Sequence, residues 1–279
     1  MQHSPFWLSY RGRISFRASS VRTPMTSHSP NMRIAILQPT FLPWLGWFDI
    51  ADQADLLILL DDVSFSKQSW QQRNRLRTRR GLEYVTVPVR SAGRLGQPIL
   101  DVEIAEPNFA SKLERTISGN YARAPYFREL FPSFCEALHH VAAQERLAPL
   151  NMELIEWFCR VLGINTPRRA SSDLGTNGKR GEYVAALCEY TGADEYLSPS
   201  GAEDYLLEDR QAFDRRGISV SLHQYSHPIY HQMFSPFMPY ASTLDLIFNE
   251  GERALEIIRS GRRSLRALGA SAASKEGIS

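Results

Sequence analysis

Ile34-Ala-Ile-Leu-Gln-Pro-Thr-Phe-Leu-Pro-Trp-Leu-Gly-Trp-Phe48 is the stretch that decides the fold. Its first four residues form a short apolar run, the length and type of a fully buried strand. The run stops at Gln38-Pro39, and Pro43 and Gly46 follow within one short loop. Proline fixes φ and removes a donor, and Gly46 is expected to supply a backbone position that other residues would strain. A helical pattern comes next, through Phe48, Ile50, Ala51 and Ala54, and then a second apolar run, Leu56 to Leu60. Strand, rigid loop, helix and strand in that order predict the first βαβ unit of a parallel sheet. Ligands of open α/β sheets sit beyond the carboxyl ends of the strands, so the loop is expected to floor a pocket. Gln38, Thr40, Trp44 and Trp47 are its polar handles and flat faces; a rigid turn with core-packed aromatics reads equally well.

The segment after Leu60 carries the next charges, Asp61-Asp62 and then Lys67, Arg73, Asn74 and Arg75. Two adjacent carboxylates at the end of a buried strand are costly unless paired. They are candidates to bind a cation, orient a base or cap the segment after them. The basic cluster could hold carboxylate or phosphate oxygens. It reads as a loop, and a salt-bridged solvated loop is the plainer alternative.

Farther along, residues 82–89 alternate as a strand, and Leu100, Val102 and Ile104 mark a short exposed one. A helical insertion is expected over about 107–163, closed by Gly163 as a C-terminal cap, with its aromatic stripes serving as core. A second α/β stretch begins near Ile164. It holds a strand over Asn165 to Ala170, a polar loop with Lys179 and Arg180 entering a helix that stops at Gly192, and the strand Glu195 to Ser198. Small polar loops at helix starts offer free N–H groups to anions, which makes Lys179 and Ser198 candidate ligand contacts, although such turns commonly bind nothing. Neither loop matches a phosphate-binding or dinucleotide-binding glycine fingerprint. After the strand Ile218 to Tyr225, His223, His227 and His231 recur four apart. Pro228 argues against the helix that a metal face would need, so no metal ligand is assigned. His227 remains a candidate acid–base group and His231 a candidate substrate contact. A helix over Ser242 to Asn249, capped by Ser242, and another through Ala254 to Ile258 close the domain.

Composition bounds the rest. The chain has 279 residues, 43% apolar and 22% charged, with a formal net charge of +2. That near-neutral balance argues against general nucleic-acid binding. Cys135, Cys159 and Cys188 are too scattered for a disulfide framework or a zinc site, and no apolar run is long enough to span a membrane. A cytoplasmic protein is expected. Residues 1–31 contain four arginines and no acid; they read as a disordered N-terminal extension, and 262–279 as a polar C-terminal tail, around a domain at 32–261.

Quoted together, the motifs carry a resemblance. Ile36-Leu-Gln-Pro-Thr-Phe-Leu-Pro-Trp-Leu-Gly-Trp-Phe-Asp49, Leu60-Asp-Asp-Val-Ser-Phe-Ser-Lys-Gln-Ser-Trp-Gln-Gln-Arg-Asn74, Tyr196-Leu-Ser-Pro-Ser-Gly-Ala-Glu-Asp-Tyr205, His227-Pro-Ile-Tyr-His-Gln232 and Leu244-Asp-Leu-Ile-Phe-Asn249 look like the WbqC-like protein family. That family is associated with bacterial gene clusters for surface polysaccharides such as O-antigen, and with other biosynthetic clusters. The opening also resembles nucleotidyltransferase-like α/β enzymes, which carry His-x-Gly-His after the first strand. Trp44-Leu-Gly-Trp47 keeps the glycine without the histidines, and tryptophan cannot stabilise charge on a transferring phosphate.

The expected fold is a Rossmann-like parallel sheet with flanking helices. The expected function is acyl or aminoacyl transfer to an amine on a sugar-linked small molecule. Asp61 or His227 would be the base, Lys67 and Arg73 would hold an anionic donor such as an acyl-CoA or nucleotide, and Gln38, Thr40, Trp44, Asp62 and Asn74 would position substrate. No serine or cysteine shows a nucleophile's setting, so direct transfer is expected. The alternatives are a nucleotide-dependent enzyme using Mg²⁺ at Asp61 and Asp62, and a non-catalytic partner of biosynthetic enzymes.

Overall fold

A computed structural model describes residues 31–142 and 144–270. The chain runs β1 (Arg33–Leu37), α1 (Leu45–Asp52), β2 (Leu56–Leu59), β3 (Arg73–Thr78) and β4 (Gly81–Thr86), then α2 (Phe109–Tyr121), α3 (Phe127–Ala142) and α4 (Leu147–Leu162). It continues through β5 (Arg168–Ala170), α5 (Arg180–Thr191), β6 (Glu195–Pro199), α6 (Glu203–Glu208), α7 (Arg210–Asp214) and β7 (Ser219–His223) to α8 (Thr243–Glu250), α9 (Ala254–Ser260) and β8 (Arg266–Ala267). Among the described residues one six-stranded sheet has the order β5-β2-β1-β6-β7-β8, and β3-β4 form a separate pair. All neighbours in the large sheet are parallel except β7 with β8. This is the expected Rossmann-like α/β architecture.

The uninterrupted apolar run of β1 follows from burial on both faces. Ala35 and Leu37 join a core with α1, α8, α9 and the helices α2 to α4. Ile34 and Ile36 join a second core against α5, α6 and α7. Both opening strands and the rigid loop between them lie where the sequence places them. Gly163 and Gly192 end α4 and α5 at φ 75° and 73°, a left-handed position that glycine occupies without Cβ strain. Ser242 caps α8 through Leu244 N–H.

Four expectations need correction. Arg73, Asn74 and Arg75 are not on a loop but on β3, paired residue by residue with β4; alternating charges hid a strand whose buried face is Asn74, Leu76 and Thr78. The segment near Leu100 is not an exposed strand: Ile99–Asp101 form a single 3₁₀ turn, and Val102 and Ile104 are buried. Gly46 has no unusual φ; a Cβ there would sit 2.3 Å from the Trp44 ring, so the glycine makes room for an indole. The left-handed residue of this loop is Leu42, at φ 46°. Finally, the fold continues past residue 261: Arg262 reaches Asp49 and Asp52 on α1, and β8 adds an edge strand. The expectations for residues 1–30 and from 271 onward lie outside the described residues.

Candidate functional site

β1 and β2 lead to one side of the sheet and β6 and β7 to the other, so the topological switch point lies between β1 and β6. Ligand crevices of open sheets form there, beyond the carboxyl ends of the strands. Two cavities occupy this end. One, of about 300 Å³, is lined by Thr40, Trp44, Trp47, Trp70, Asn74, Arg75 and Tyr240. The other, of about 270 Å³, is lined by Leu37, Gln38, Leu60, Tyr196, Pro199 and Tyr205, and again by Thr40 and Trp47. The Thr40–Trp47 wall is therefore common to both. Trp47 is 5% exposed, and neither its Nε1–H nor the buried Thr40 hydroxyl has a protein partner. Orphaned buried donors are rare because each costs about 1–3 kcal/mol.

Two buried asparagines shape the loop. Asn74 Nδ2 donates to the carbonyls of Phe41 and Leu42 at 3.1 and 2.8 Å. Asn151 Nδ2, on α4, donates to those of Pro39 and Gln71 at 2.8 and 2.7 Å. A loop with two prolines has few donors of its own, and these side chains satisfy carbonyls that burial would otherwise strand. The Trp44 indole then lies over Gly46, stacked on His227 at 6.4 Å and edge-on to Tyr225 at 5.6 Å. Gly46→Ala is expected to overpack this contact, costing about 1–3 kcal/mol and lowering the urea midpoint. Adding Trp44→Leu should recover most of the loss; a double mutant no better than the single would show that the clash lies elsewhere.

The other candidates divide into separate neighbourhoods. Asp61 is buried and accepts from Ser172 Oγ at 2.8 Å and from Ser172 N–H at 3.1 Å, while its own N–H donates to Ser171 Oγ at 3.2 Å. Asp62 accepts from Ser171 Oγ at 2.6 Å and from the Tyr183 hydroxyl. Burial, and then Asp62, push that hydroxyl up to about 12. Both carboxylates thus tie the end of β2 to the turn after β5. His227 is half-buried, and its Nε2 accepts the Tyr240 N–H at 3.1 Å, which leaves Nδ1–H to donate to Pro228 O at 2.9 Å. Burial lowers its pKa below 6.5, so the neutral tautomer fits both bonds. His231, Lys179 and Lys67 are exposed, and Ser198 is buried with its hydroxyl on Pro199 O. His223 pairs with buried Asp49 at 2.7 Å, well apart in role from the other two histidines. Among the described residues no group of three or more His, Cys, Asp or Glu is placed to hold a metal ion.

Gln38, Thr40, Trp44 and Asn74 are thus brought together, and Arg73 stands beside them on β3. Asp61, Asp62 and His227 lie on neither cavity wall. Sequence reasoning passes over Trp70, Tyr240, Tyr205 and Asn151. Trp70 and Tyr240, 47% and 49% exposed, left a signal as aromatics inside otherwise polar turns; Asn151 left none, sitting in a helix that reads as core. No helix among the described residues is long and apolar enough to cross a membrane.

The chain is 34% identical over 236 residues to the uncharacterized protein Rv1507c of Mycobacterium tuberculosis, covering 83% of this chain and 99% of that one. No solved structure gives a significant match. The model of the WbqC-like protein family matches residues 38–257, and the chain belongs to that family.

Proposed function

We propose that the chain is a transferase of bacterial surface-polysaccharide or related biosynthesis, passing an acyl or aminoacyl group to an amine on a sugar-linked small molecule. One observation carries the reading: two cavities meet at the sheet's switch point across a wall with two unpartnered buried polar atoms, Trp47 Nε1 and Thr40 Oγ1. Two compartments suit a donor and an acceptor, and N–H and O–H groups between them suit a carbonyl oxygen gaining charge during transfer. Direct transfer accords with the cysteines, since burial pushes the thiols of Cys135, Cys159 and Cys188 up to about 11, 12 and 12, away from a reactive thiolate. His227, packed on Trp44, becomes a base toward the aromatic cavity once the Tyr240 N–H is withdrawn from Nε2. Asp61 holds the far side of the sheet end through Ser171 and Ser172.

Thermal-shift measurements with acetyl-CoA, with ATP plus Mg²⁺ and with a nucleotide sugar test the reading, followed by assay of amine acylation. Acetyl-CoA is expected to raise the midpoint of the wild type and to do so less in Thr40→Val. Stabilisation by ATP only with Mg²⁺, lost in Asp62→Ala, would instead favour nucleotidyl transfer, for which a cation has to displace the Ser171 and Tyr183 hydroxyls. An unchanged pathway product in both Asp61→Ala and His227→Ala would point to a non-catalytic partner.

A further inference from the structure

Arg75 and Trp70 line the aromatic cavity, and Arg73 and Tyr84 adjoin them on the β3–β4 pair outside its lining, a composition that the transfer chemistry does not itself require. Arg75 and Arg73 project from β3 on one face, and Tyr84 is the β4 partner of Arg75. The Arg75 guanidinium lies 5.6 Å from the Trp70 ring centre, and that of Arg73 lies 4.6 Å from the Tyr84 ring centre. Trp70 and Tyr84 are themselves 6.2 Å apart and about half exposed, at 47% and 52%. Among the described residues neither arginine forms an ion pair, whereas many of the chain's other arginines do. Arg75 is held in place by its Nη2 bond to Tyr240 O at 3.2 Å, yet its buried Nε–H has no partner.

Large exposed aromatics beside unneutralised guanidiniums call for a ligand with both a flat face and an anion. A fixed guanidinium fork with an unpartnered N–H matches two oxygens of a phosphate or carboxylate. Trp70 and Tyr240, both about half exposed, offer ring faces on which a base stacks, worth about 1–3 kcal/mol per base. From this geometry we infer that the Arg73–Arg75–Trp70 wall binds the phosphorylated nucleoside portion of the donor, the base against the aromatic walls and a phosphate on Arg75 with Arg73 beside it. The inference rests on the transferase reading for what the donor delivers, and on β3 for how it is held. Acyl-CoAs and nucleotide sugars share this moiety, so the wall fits either.

Tryptophan fluorescence titration of the full chain with ADP, adenosine and galacturonate tests it. ADP is expected to bind about ten- to a hundredfold more tightly than adenosine, the worth of a charge-assisted hydrogen bond. Arg75→Gln should bring ADP down to the adenosine level, Arg73→Gln should narrow the gap, and Trp70→Ala should weaken ADP and adenosine by a common factor. Trp70 and Arg73 lie at the surface, so these two variants keep the test open if Arg75→Gln disturbs the fold. Equal binding of ADP and adenosine to the wild type, or an ADP preference that survives both arginine substitutions, overturns the inference. So does binding of galacturonate alone, which would leave the transferase reading standing. Conversely, arginine-dependent ADP binding without any acyl transfer to amines would sink that reading and keep this one.

Discussion

Replacing Asn74 with alanine is expected to lower stability by about 3 kcal/mol, because it strands the buried carbonyls of Phe41 and Leu42 and removes an acceptor from Arg75 N–H. For a domain of this size that corresponds to a fall of roughly 6–12 °C in Tm. The effect should reach the cavity, since Leu42 has to be held at φ 46°, a conformation costing a side-chain-bearing residue about 1–2 kcal/mol. Without the two bonds the loop relaxes, and Thr40 and Trp44 move with it. Asn74→Asp separates the two roles of the side chain. It keeps the acceptor for Arg75 and replaces the donor with an oxygen facing two carbonyls, so it should destabilise at least as much as alanine despite its matching shape. Calorimetry or urea unfolding of the two variants decides the matter; an aspartate as stable as the wild type would show that the donor is dispensable.

The second large effect concerns Asp245 in α8, which is 1% exposed. Its Oδ2 accepts from the Tyr230 hydroxyl at 2.7 Å and from Gln232 Nε2 at 2.9 Å. Burial nevertheless outweighs these bonds, the Tyr121 hydroxyl and the field of Arg77, and raises the carboxyl from 3.8 to about 6. A carboxyl whose pKa rises on folding binds its proton more tightly in the native state. Its contribution is therefore fully present below about pH 4 and is lost as pH climbs through about 6, the reverse of a salt-bridged carboxylate. The displacement of about two pH units corresponds to about 3 kcal/mol at most. Asp245→Asn abolishes the titration while keeping an acceptor for Tyr230 and Gln232. Measured against the wild type, its unfolding free energy should improve as pH rises from 4 to 7; a difference between the two proteins that stays constant with pH would remove Asp245 from the account.

The parts of the fold that are legible in the sequence rest on physics local to the chain. An apolar run bounded by prolines needs no partner to announce a doubly buried strand, so β1, β2 and the loop between them were legible. Glycines at helix ends announced themselves at Gly163 and Gly192. β3 did not, since Arg73, Arg75 and Arg77 alternate with Asn74, Leu76 and Thr78, and charge on one face with polar residues on the other masks the two-residue period. Arg77 is in fact buried, with its guanidinium on the carbonyls of Thr78, Phe234 and Pro236. The short helices α6 and α7 have too few residues to establish a period. At the site, Gln38, Thr40, Trp44 and Asn74 were legible because they belong to one loop or its immediate neighbour. The pairing of Thr40 with Trp47 as a shared wall, and of Arg75 with Trp70, is set by how β3 packs across that loop. Asp61 and Asp62 drew notice as charges in an apolar setting, which their serine and tyrosine donors resolve without substrate.

The place of β1 at the middle of the large sheet bears on how the protein is made. Its pairing with β2 closes over a short stretch of chain, but its other edge meets β6, and Arg33 reaches Glu195 across 162 residues of sequence. Such non-local pairing is slow because chain entropy is spent before the contact forms. During synthesis the first βαβ unit is complete long before β6 emerges, so β1 spends that interval with an open apolar edge beside a half-built cavity. The long helical segment is translated in the same interval and covers one face of β1 and β2 while the other waits. A nascent chain halted before residue 199 would therefore hold a folded half-site with no opposite wall, a species able to pair its bare strand with that of a neighbour.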